Sequence, residues 1–243
     1  MLEYPNTLAD QAVLVTGANR GLGAALVAEA LRRGARRVYA GTRQDLHGVD
    51  DRVVPVRLDV TNPSQIGAAA RAIDRLNLLI NNAGVGHFED LTNPAVLAEH
   101  LRVNLYGPHA VAQAVLPKLI ASGGSVVNVL SIAALASLPV MASYSVSKAA
   151  AFSLTQAQRA LFAGRGVRVH AVLAGPMDTD MVRDMAIPKS QPAEVARSIY
   201  DGVLAGREDI FPDPMTAALE EGWDNGPLKA LERQNAGFVG VAS

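Results

Sequence analysis

A tyrosine and a lysine separated by three residues, with a serine upstream, are the side chains best suited to acid–base chemistry in this sequence. Tyr144 and Lys148 form a Y-x-x-x-K motif, and Ser131 precedes the tyrosine by 13 residues. Residues four apart lie on one face of a helix, so the ammonium of Lys148 should lie beside the phenol of Tyr144. A nearby cation favours the phenolate and lowers a tyrosine pKa from its ordinary value of about 10. Tyr144 is therefore predicted to exchange protons near neutral pH.

The reaction that fits these residues is hydride transfer to or from a carbonyl or alcohol carbon. Hydride addition builds negative charge on the carbonyl oxygen, which then needs a proton donor and a fixed hydrogen-bond donor. Tyr144 fits the first role and Ser131 the second. Taken alone, the Tyr–Lys pair is equally consistent with a surface pair on a helix, worth about 0.2–0.5 kcal/mol. The other motifs of the chain favour the chemical interpretation.

A glycine-rich turn follows the first apolar segment and reads T-G-A-N-R-G-L-G from Thr16 to Gly23. Free backbone N–H groups and the dipole at a helix start attract a pyrophosphate. The predicted cofactor contacts in this turn are Gly17, Asn19, Arg20, Gly21, Leu22 and Gly23. The glycine spacing differs from G-x-G-x-x-G. The alternative is therefore a turn that only lets helix and sheet pack.

Two arginines favour NADP over NAD as the cofactor. An acidic residue about 20 positions after the glycines binds the ribose 2'-hydroxyl of NAD, whereas an arginine suits a 2'-phosphate. Here the second apolar segment ends in Arg43, and Arg20 lies within the turn. A planar guanidinium matches phosphate geometry. Asp45 keeps NAD as the alternative, and two solvated surface arginines are the other interpretation.

Short apolar segments alternate with helical ones along the chain. The sequence predicts strands at 12–16, 37–42, 53–58, 78–81, 125–130 and 167–173, and helices at 22–33, 63–76, 96–121, 142–163, 192–204 and 215–234. Strands that are apolar throughout bury both faces, which indicates a parallel sheet with helices on both sides. We predict a doubly wound, Rossmann-type α/β fold. Residues 1–243 would form one domain, in which 176–243 contribute a substrate lid and the C-terminal segment.

The composition points to a small-molecule partner. The chain has 243 residues with 22 basic and 23 acidic side chains, so it has no basic field for nucleic acid. It has no cysteine, which excludes disulfides and thiolate chemistry. Glu3, Pro5 and Asp10 interrupt any signal-peptide run, and no apolar stretch approaches the roughly 18–20 residues that span a bilayer. We expect a cytoplasmic protein without membrane partners.

The chain contains a further motif, N-N-A-G, at Asn81–Gly84. With this motif, the glycine-rich turn and the Ser–Tyr–Lys set, the chain resembles the short-chain dehydrogenase/reductase family over about residues 11–181. Asn104 matches the asparagine that the family has on a helix. The resemblance implies an NADP-preferring carbonyl reductase or ketoreductase in which Asn104, Ser131, Tyr144 and Lys148 are catalytic. It also implies that Lys148 binds the nicotinamide ribose and that Asn104 holds a water linking Lys148 to solvent.

The resemblance implies further cofactor contacts at strand ends. Asp59, with Val60 beside it, would accept a hydrogen bond from the adenine amino group, although a turn cap is an equal alternative for Asp59. Asn81 has two interpretations, support of the strand and contact with the cofactor. Ala83 and Gly84 would let the backbone lie against the adenosine ribose.

The segment after the last predicted strand corresponds to the family's P-G-x-x-x-T motif. It adds Gly175, Pro176, Met177 and Thr179 to the cofactor-binding set. Thr179 would hydrogen-bond the carboxamide. Ala174 stands where the family usually has proline, so the turn departs from the family pattern.

The substrate pocket is expected at the loops 85–88, 132–141 and 177–188, because doubly wound folds bind ligands at the carboxyl ends of strands. The middle loop is nearly all apolar, and the last contributes Met177, Met181, Met185 and Ile187. Such side chains suit an apolar ketone or aldehyde. The alternative is that the methionines only pack within a lid. Trp223 closes either the pocket or a subunit contact.

Other functional classes remain open from the sequence. The wider family includes epimerases and dehydratases, and a non-catalytic dinucleotide sensor that binds protein partners is a third class. Retention of all four catalytic residues argues against the sensor. The five histidines, His47, His87, His100, His109 and His170, lack metal-ligand spacing, so we predict no metal. Ala- and Leu-rich helices near 101–119 and 149–162 correspond to those through which the family commonly forms homodimers and homotetramers.

Overall fold

The computed structural model describes residues 7–46, 50–183 and 186–239. Predictions that concern His47 and Met185 lie outside the described residues. The strands are β1 (Ala12–Thr16), β2 (Arg37–Thr42), β3 (Val53–Arg57), β4 (Leu78–Asn81), β5 (Ser125–Val129), β6 (Arg168–Val172) and β7 (Asp209–Ile210). The α-helices are α1 (Gly21–Arg32), α2 (Pro63–Ala72), α3 (Pro94–Leu101), α4 (Gly107–Ser122), α5 (Ala142–Ala163), α6 (Pro192–Leu204), α7 (Pro214–Glu220) and α8 (Pro227–Ala236).

Within this described part, the strands form one parallel sheet in the order β3-β2-β1-β4-β5-β6-β7. Residues of β1, β4 and β5 are buried on both faces of the sheet, as the apolar runs predicted. Helices α1 and α6 cover one face, and α2 and α4 cover the other. The predicted doubly wound fold class is confirmed.

The chain reverses direction across the sheet between β1 and β4. From β1 the strands run outward to β2 and β3, and the chain then returns to β4 on the other side of β1. A crevice opens at such a switch point, outside the carboxyl ends of the strands. The glycine-rich turn and the N-N-A-G motif both follow strands that end at this crevice.

Four elements differ from the sequence prediction. The segment predicted as one helix over 96–121 is α3, a π-helical turn at Arg102–Tyr106, and α4. The predicted helix 215–234 is interrupted because Gly222 adopts a positive φ of 76°, and a 3-10 turn at Trp223–Asn225 separates α7 from α8. Strand β7 was not predicted, since two residues give no periodic signal. Helix α2 ends early because Ile73 is extended and fully buried.

The described helices include none with the length and apolar character needed to cross a bilayer.

Candidate active site

The glycine-rich turn is fitted tightly against the segment that follows β4. Gly17 has a φ of 66°, and a Cβ atom on it would lie 3.0 Å from the Cα of Ala83. Thr16 Oγ1 accepts hydrogen bonds from the backbone N–H groups of Asn82 and Ala83, both at 3.0 Å. The Asn82 amide donates to the carbonyls of Thr16 and Gly17 at 2.9 and 3.2 Å. Sequence reasoning missed Asn82, although it lies within the N-N-A-G motif.

A crevice of about 520 Å³ begins at this turn and brings together most of the predicted cofactor residues. Its lining includes Gly17, Asn19, Arg20, Gly21, Leu22, Gly23, Arg43, Asp59, Val60, Ala83, Gly84, Tyr144, Lys148, Met177 and Thr179. Its volume falls within the range of about 300–1,000 Å³ that is common for ligand sites.

Three predicted cofactor residues lie outside this lining. The Asn81 side chain is buried and donates to Asn128 Oδ1 at 2.9 Å, so it supports the sheet. Gly175 donates its backbone N–H to the carboxylate of Asp213 at 2.7 Å. The carbonyl of Pro176 accepts from the backbone of Ser190 at 3.0 Å. The structure therefore gives these three residues partners within the protein, and their cofactor contacts stay predictions.

Asp213 is a second residue that sequence reasoning missed. It is buried, caps the start of α7, and accepts from the backbone N–H of Thr216 at 3.2 Å. The same carboxylate accepts from the backbone N–H of Gly175, in the loop after β6 and 38 residues earlier. One side chain thus joins the loop after β6 to the C-terminal helices.

Charged groups cluster at the end of the crevice that holds the glycine-rich turn. Burial alone would raise the pKa of Asp59, but hydrogen bonds from Thr61 and the charges of Arg43 and Arg102 lower it below its usual value. Asp59 accepts from the Thr61 backbone N–H at 2.8 Å, so the predicted turn cap is present. Arg20 forms an exposed ion pair with Asp180 at 2.5 Å. Its guanidinium therefore joins the glycine-rich turn to the segment after β6.

The Ser–Tyr–Lys set lies together at the other end of the crevice. Tyr144, in the first turn of α5, hydrogen-bonds with Ser131, which follows β5 directly. Lys148 is buried one turn further along, with its Nζ atom 5.6 Å from the centre of the Tyr144 ring. That Nζ donates to the carbonyl of Val129 at 2.9 Å. The arrangement brings a proton donor, a second hydroxyl and a cation to one place.

The pKa shifts of this pair differ from the expectation. Burial raises the pKa of Tyr144 above its ordinary value, and the hydrogen bond with Ser131 offsets only part of this rise. Burial also lowers the pKa of Lys148 to about 8. The reason is that desolvation disfavours the charged form of both groups. The direction of the Tyr144 pKa shift is therefore opposite to the predicted lowering by Lys148.

Asn104 lies in the π-helical turn between α3 and α4. Its Oδ1 accepts from the backbone N–H of Val85, and its Nδ2 donates to the Val85 carbonyl and to Ser147 Oγ, all at 2.9 Å. Such π turns are frequent at functional sites. A Cβ atom on Gly84 would lie 3.2 Å from Asn104 Oδ1 and 3.8 Å from Lys148 Nζ, so this glycine keeps the space beside both groups open.

Apolar side chains line the crevice next to Tyr144. A Cβ atom on Gly86 would lie 2.8 Å from Met181 Sδ, 3.0 Å from Met141 Cε and 3.2 Å from Tyr144 Cδ2. Met181 belongs to the loop after β6, and Met141 immediately precedes α5. Loops from three strands thus meet around the tyrosine, as predicted for the substrate side.

Trp223 lies outside the crevice lining, so it does not close the pocket, and its place in a subunit contact stays a prediction. Its ring packs edge-on against Phe211 at 5.2 Å, and its Nε1 donates to Asp209 Oδ2 at 2.9 Å. Asp209 also pairs with Arg159 at 2.8 Å and with Lys229 at 2.7 Å. The tryptophan therefore belongs to a buried charged cluster that fixes the C-terminal helices to the sheet.

Of the described histidines, some lie on the surface and others are buried. His109 is exposed, whereas His170 is buried and bonded through Nδ1 to the Arg207 carbonyl at 2.6 Å. Burial lowers the pKa of His170 to about 4. His100 is buried beside Tyr144. The described residues hold no group of three or more His, Asp or Glu side chains placed to bind a metal.

The sequence pattern of the short chain dehydrogenase family matches residues 11–189. The chain belongs to this family and is an oxidoreductase. The predicted family and enzyme class are thereby confirmed.

The similar proteins include several dehydrogenases. The chain is 34% identical over 197 residues, 72% of its length, to the short chain dehydrogenases tazN of Aspergillus terreus and pigC of Monascus ruber. It spans only 43% and 65% of the lengths of those two proteins. It is 30% identical over 230 residues to the 2-(R)-hydroxypropyl-CoM dehydrogenase of Xanthobacter autotrophicus, covering 82% of this chain and 92% of that protein.

A solved structure is similar over nearly the whole chain. It is a short chain dehydrogenase from Burkholderia cenocepacia in complex with NADP, with a TM-score of 0.85 and 38% sequence identity. The match covers 94% of this chain and 98% of that one.

Proposed function

We propose that the protein transfers a hydride between NADP(H) and the carbonyl or alcohol carbon of a small apolar substrate, with Tyr144 as the acid/base. The observation that supports this most directly is the position of Ser131, Tyr144 and Lys148 at one end of a crevice whose other end is the glycine-rich turn. A similar protein of known structure binds NADP.

The crevice fits a dinucleotide. The glycine at position 17 lets the turn pack closely against the segment after β4, and the glycine at position 84 leaves space beside the backbone for a ligand. Helix α1 starts at the turn, so its N-terminus faces the crevice. The residues that would hold NADP are the lining residues named above, with Arg20 and Arg43 at the 2'-phosphate. When bound, the nicotinamide supplies or accepts the hydride. Retention of two arginines at this end is the reason to prefer NADP to NAD.

The four catalytic residues would divide the work at the substrate oxygen. Tyr144 gives a proton to that oxygen in reduction and removes it in oxidation, while the Ser131 hydroxyl donates a second hydrogen bond. Lys148, whose pKa of about 8 lets it exchange protons near neutral pH, would give a proton to the tyrosine or take one from it. Asn104 holds the adjoining backbone in place through Val85.

The substrate would be an apolar ketone or aldehyde. Met141 and Met181 approach Tyr144 across Gly86, and the loop before α5 places Leu138 and Val140 at the surface. Thioether and aliphatic side chains at the entrance match an apolar group on the substrate.

The protein's organisation is also proposed. We infer a single domain over residues 1–243, with 176–243 forming the lid and C-terminal segment, in a cytoplasmic homodimer or homotetramer. Exposed apolar side chains on the π turn and on α5 support self-association, namely Tyr106, Val146 and Leu161. Light scattering coupled to gel filtration would give the number of subunits.

The decisive experiment measures oxidation of NADPH by its near-ultraviolet absorbance with benzaldehyde, acetophenone and cyclohexanone. Wild type should turn over at least one of them, and Tyr144→Phe should lose more than about a hundredfold in kcat. Tyr106→Phe, at an exposed tyrosine, is the matched control and should keep full activity. No turnover by wild type across a wide carbonyl panel, or full activity of Tyr144→Phe, would contradict the proposal.

The cofactor preference has its own test. Arg43→Ala should raise KM for NADPH about tenfold and leave KM for NADH nearly unchanged, because a charge-assisted hydrogen bond to phosphate is lost. Arg57→Ala removes an exposed arginine of β3 that pairs with Asp45, and serves as the control. Equal effects on both cofactors would favour the NAD alternative.

A further inference from the structure

His100 is a fully buried histidine at the end of α3, and both of its ring nitrogens have partners. Nδ1 lies 2.8 Å from the carbonyl oxygen of Val96, and Nε2 accepts from the backbone N–H of His87 at 3.2 Å. A carbonyl only accepts, so Nδ1 must hold the proton and Nε2 must be the acceptor. These partners fix His100 as the neutral Nδ1–H tautomer.

The ring of His100 is adjacent to the candidate acid/base. It meets the Tyr144 ring edge-on, with centroids 6.4 Å apart and planes at 74°. On its other side it meets the His87 ring at 5.1 Å. His87 in turn lies 3.4 Å from a carboxylate oxygen of Glu99. His100 thus packs between the tyrosine and the loop that follows β4.

His100 and Asn104 hold the same loop from one side. They are four residues apart, and the backbone groups that they bind belong to Val85 and His87, two residues apart. Gly86 lies between these two anchor points. Because a Cβ atom there would lie within 3.2 Å of the Tyr144 ring, the path of this loop determines how much room remains beside the tyrosine.

We propose that His100 is a positioning residue for the reaction, acting through its hydrogen bond to the His87 backbone. Together with Asn104 it clamps residues 85–87 so that Gly86 stays clear of the substrate position at Tyr144. This inference rests on the proposed function, since it assigns a purpose to the space beside Tyr144.

Two substitutions each keep one of the two hydrogen bonds of His100 and remove the other. The amide nitrogen of asparagine replaces Nδ1 and still donates to Val96, but its oxygen does not reach the position of Nε2 and cannot accept from His87. The carbonyl of glutamine reaches the position of Nε2 and still accepts from His87, while the bond to Val96 is lost. Both variants lose one hydrogen bond and the imidazole, so a purely structural role predicts equal effects.

The proposal predicts unequal effects. His100→Asn should lower kcat about tenfold with the fastest of the three carbonyl probes, because a small shift of the loop misplaces the substrate. His100→Gln should keep at least about half of the wild-type kcat. The Kd for NADPH, measured by its fluorescence, should be the same in both variants. Equal kcat values, or a loss confined to NADPH binding, would overturn the proposal.

A measurement independent of turnover distinguishes this proposal from the proposed function. Amide hydrogen exchange of residues 85–89 should be faster in His100→Asn than in His100→Gln and wild type. If wild type reduces no probe, the proposed function fails while the exchange result still decides the positioning role. If His100→Asn does not fold, Gly86→Ala displaces the same loop by another route and should lower kcat with unchanged NADPH binding. Unchanged kcat in Gly86→Ala would overturn the proposal.

Discussion

The carboxylate of Glu89 accepts a hydrogen bond from the backbone N–H of Ser143 at 2.5 Å, across 54 residues of sequence. Ser143 is in the first turn of α5, whose N-terminal flanking residue Met141 provides no side-chain cap. Glu89 therefore caps from a distance the helix on which Tyr144 and Lys148 lie. The backbone N–H of Ser143 is the largest cause that holds the pKa of Glu89 below its usual value.

Glu89→Ala is expected to lower the free energy of unfolding, because α5 loses its N-terminal cap. It should also lower kcat, because the first turn of α5 includes Tyr144. The stabilisation is present above the unfolded-state pKa of a glutamate and is lost as pH falls through the lower folded-state pKa. Urea unfolding at neutral and acid pH measures both effects.

Asp74→Ala, which removes an exposed carboxylate at the end of α2, is the control for Glu89. It should leave stability and activity near wild type. A Glu89→Ala protein as stable as this control at neutral pH would exclude the capping role.

Asp180→Asn is expected to tighten NADPH binding. Asp180 pairs with Arg20 at 2.5 Å and with Arg183, and a 2'-phosphate would need the same Arg20 guanidinium. Exposed ion pairs are worth about 0–1 kcal/mol, so the gain should be at most about fivefold in Kd. Fluorescence titration with NADPH and NADH measures it, and only NADPH should respond.

Asp178→Asn controls for the loss of a negative charge from the crevice, since Asp178 also lines it. A gain of the same size in both variants, or for both cofactors, would show that general electrostatics and not the Arg20 pair is responsible.

Asp209→Asn is expected to destabilise the fold by up to about 3 kcal/mol, since it removes the most buried carboxylate that pairs with Arg159 and Lys229 and leaves Glu232 to pair with both. Burial alone would raise the pKa of Asp209, but those two cations outweigh it and the pKa is lowered. The stabilisation is therefore lost as pH falls through this lowered pKa. Thermal unfolding is the measurement.

Asp201→Asn removes a carboxylate that is exposed and paired with Arg33, and it should cost less than about 1 kcal/mol. Similar losses for the two variants would mean that the buried cluster contributes no more than a surface pair.

His170 is expected to make the protein less stable in mild acid. It is buried and neutral with a pKa of about 4, whereas an unfolded histidine titrates near 6.5. Between these values only the unfolded state binds the proton, so the free energy of unfolding falls as pH decreases, by on the order of 3 kcal/mol across the window.

His170→Gln should remove much of this slope, and His109→Gln, at an exposed histidine, should not. Urea unfolding from pH near 7 to near 4 measures the slopes. The same slope in wild type and His170→Gln would assign the acid sensitivity to other groups.

The sheet was predictable because burial on both faces makes β1, β4 and β5 predominantly apolar. Strand β7 and the break at Gly222 were not, since a two-residue strand and a single positive φ leave no periodic signal. Motif spacing likewise placed Ser131, Tyr144 and Lys148 together. It could not give their pKa shifts, which depend on desolvation by residues distant in sequence.

The residues that support the site were missed for a related reason. Glu89, His100 and Asp213 each act through the backbone of a distant segment, at Ser143, His87 and Gly175 respectively. A backbone N–H is present at almost every residue, so such a bond leaves no pairing of residue types in the sequence. Asn82 differs, because its motif was visible and only its role needed the structure.

The bond between Asp213 and Gly175 has a consequence for protein engineering. The C-terminal helices and the loop after β6 share one buried carboxylate, so neither can be exchanged alone between relatives without breaking that connection. A chimera that takes its last helices from another dehydrogenase should have a disturbed loop after β6 unless the donor supplies an acceptor at the same place. Grafts for new substrate ranges should therefore join the chains before Gly175, so that the carboxylate and the N–H it holds come from one parent.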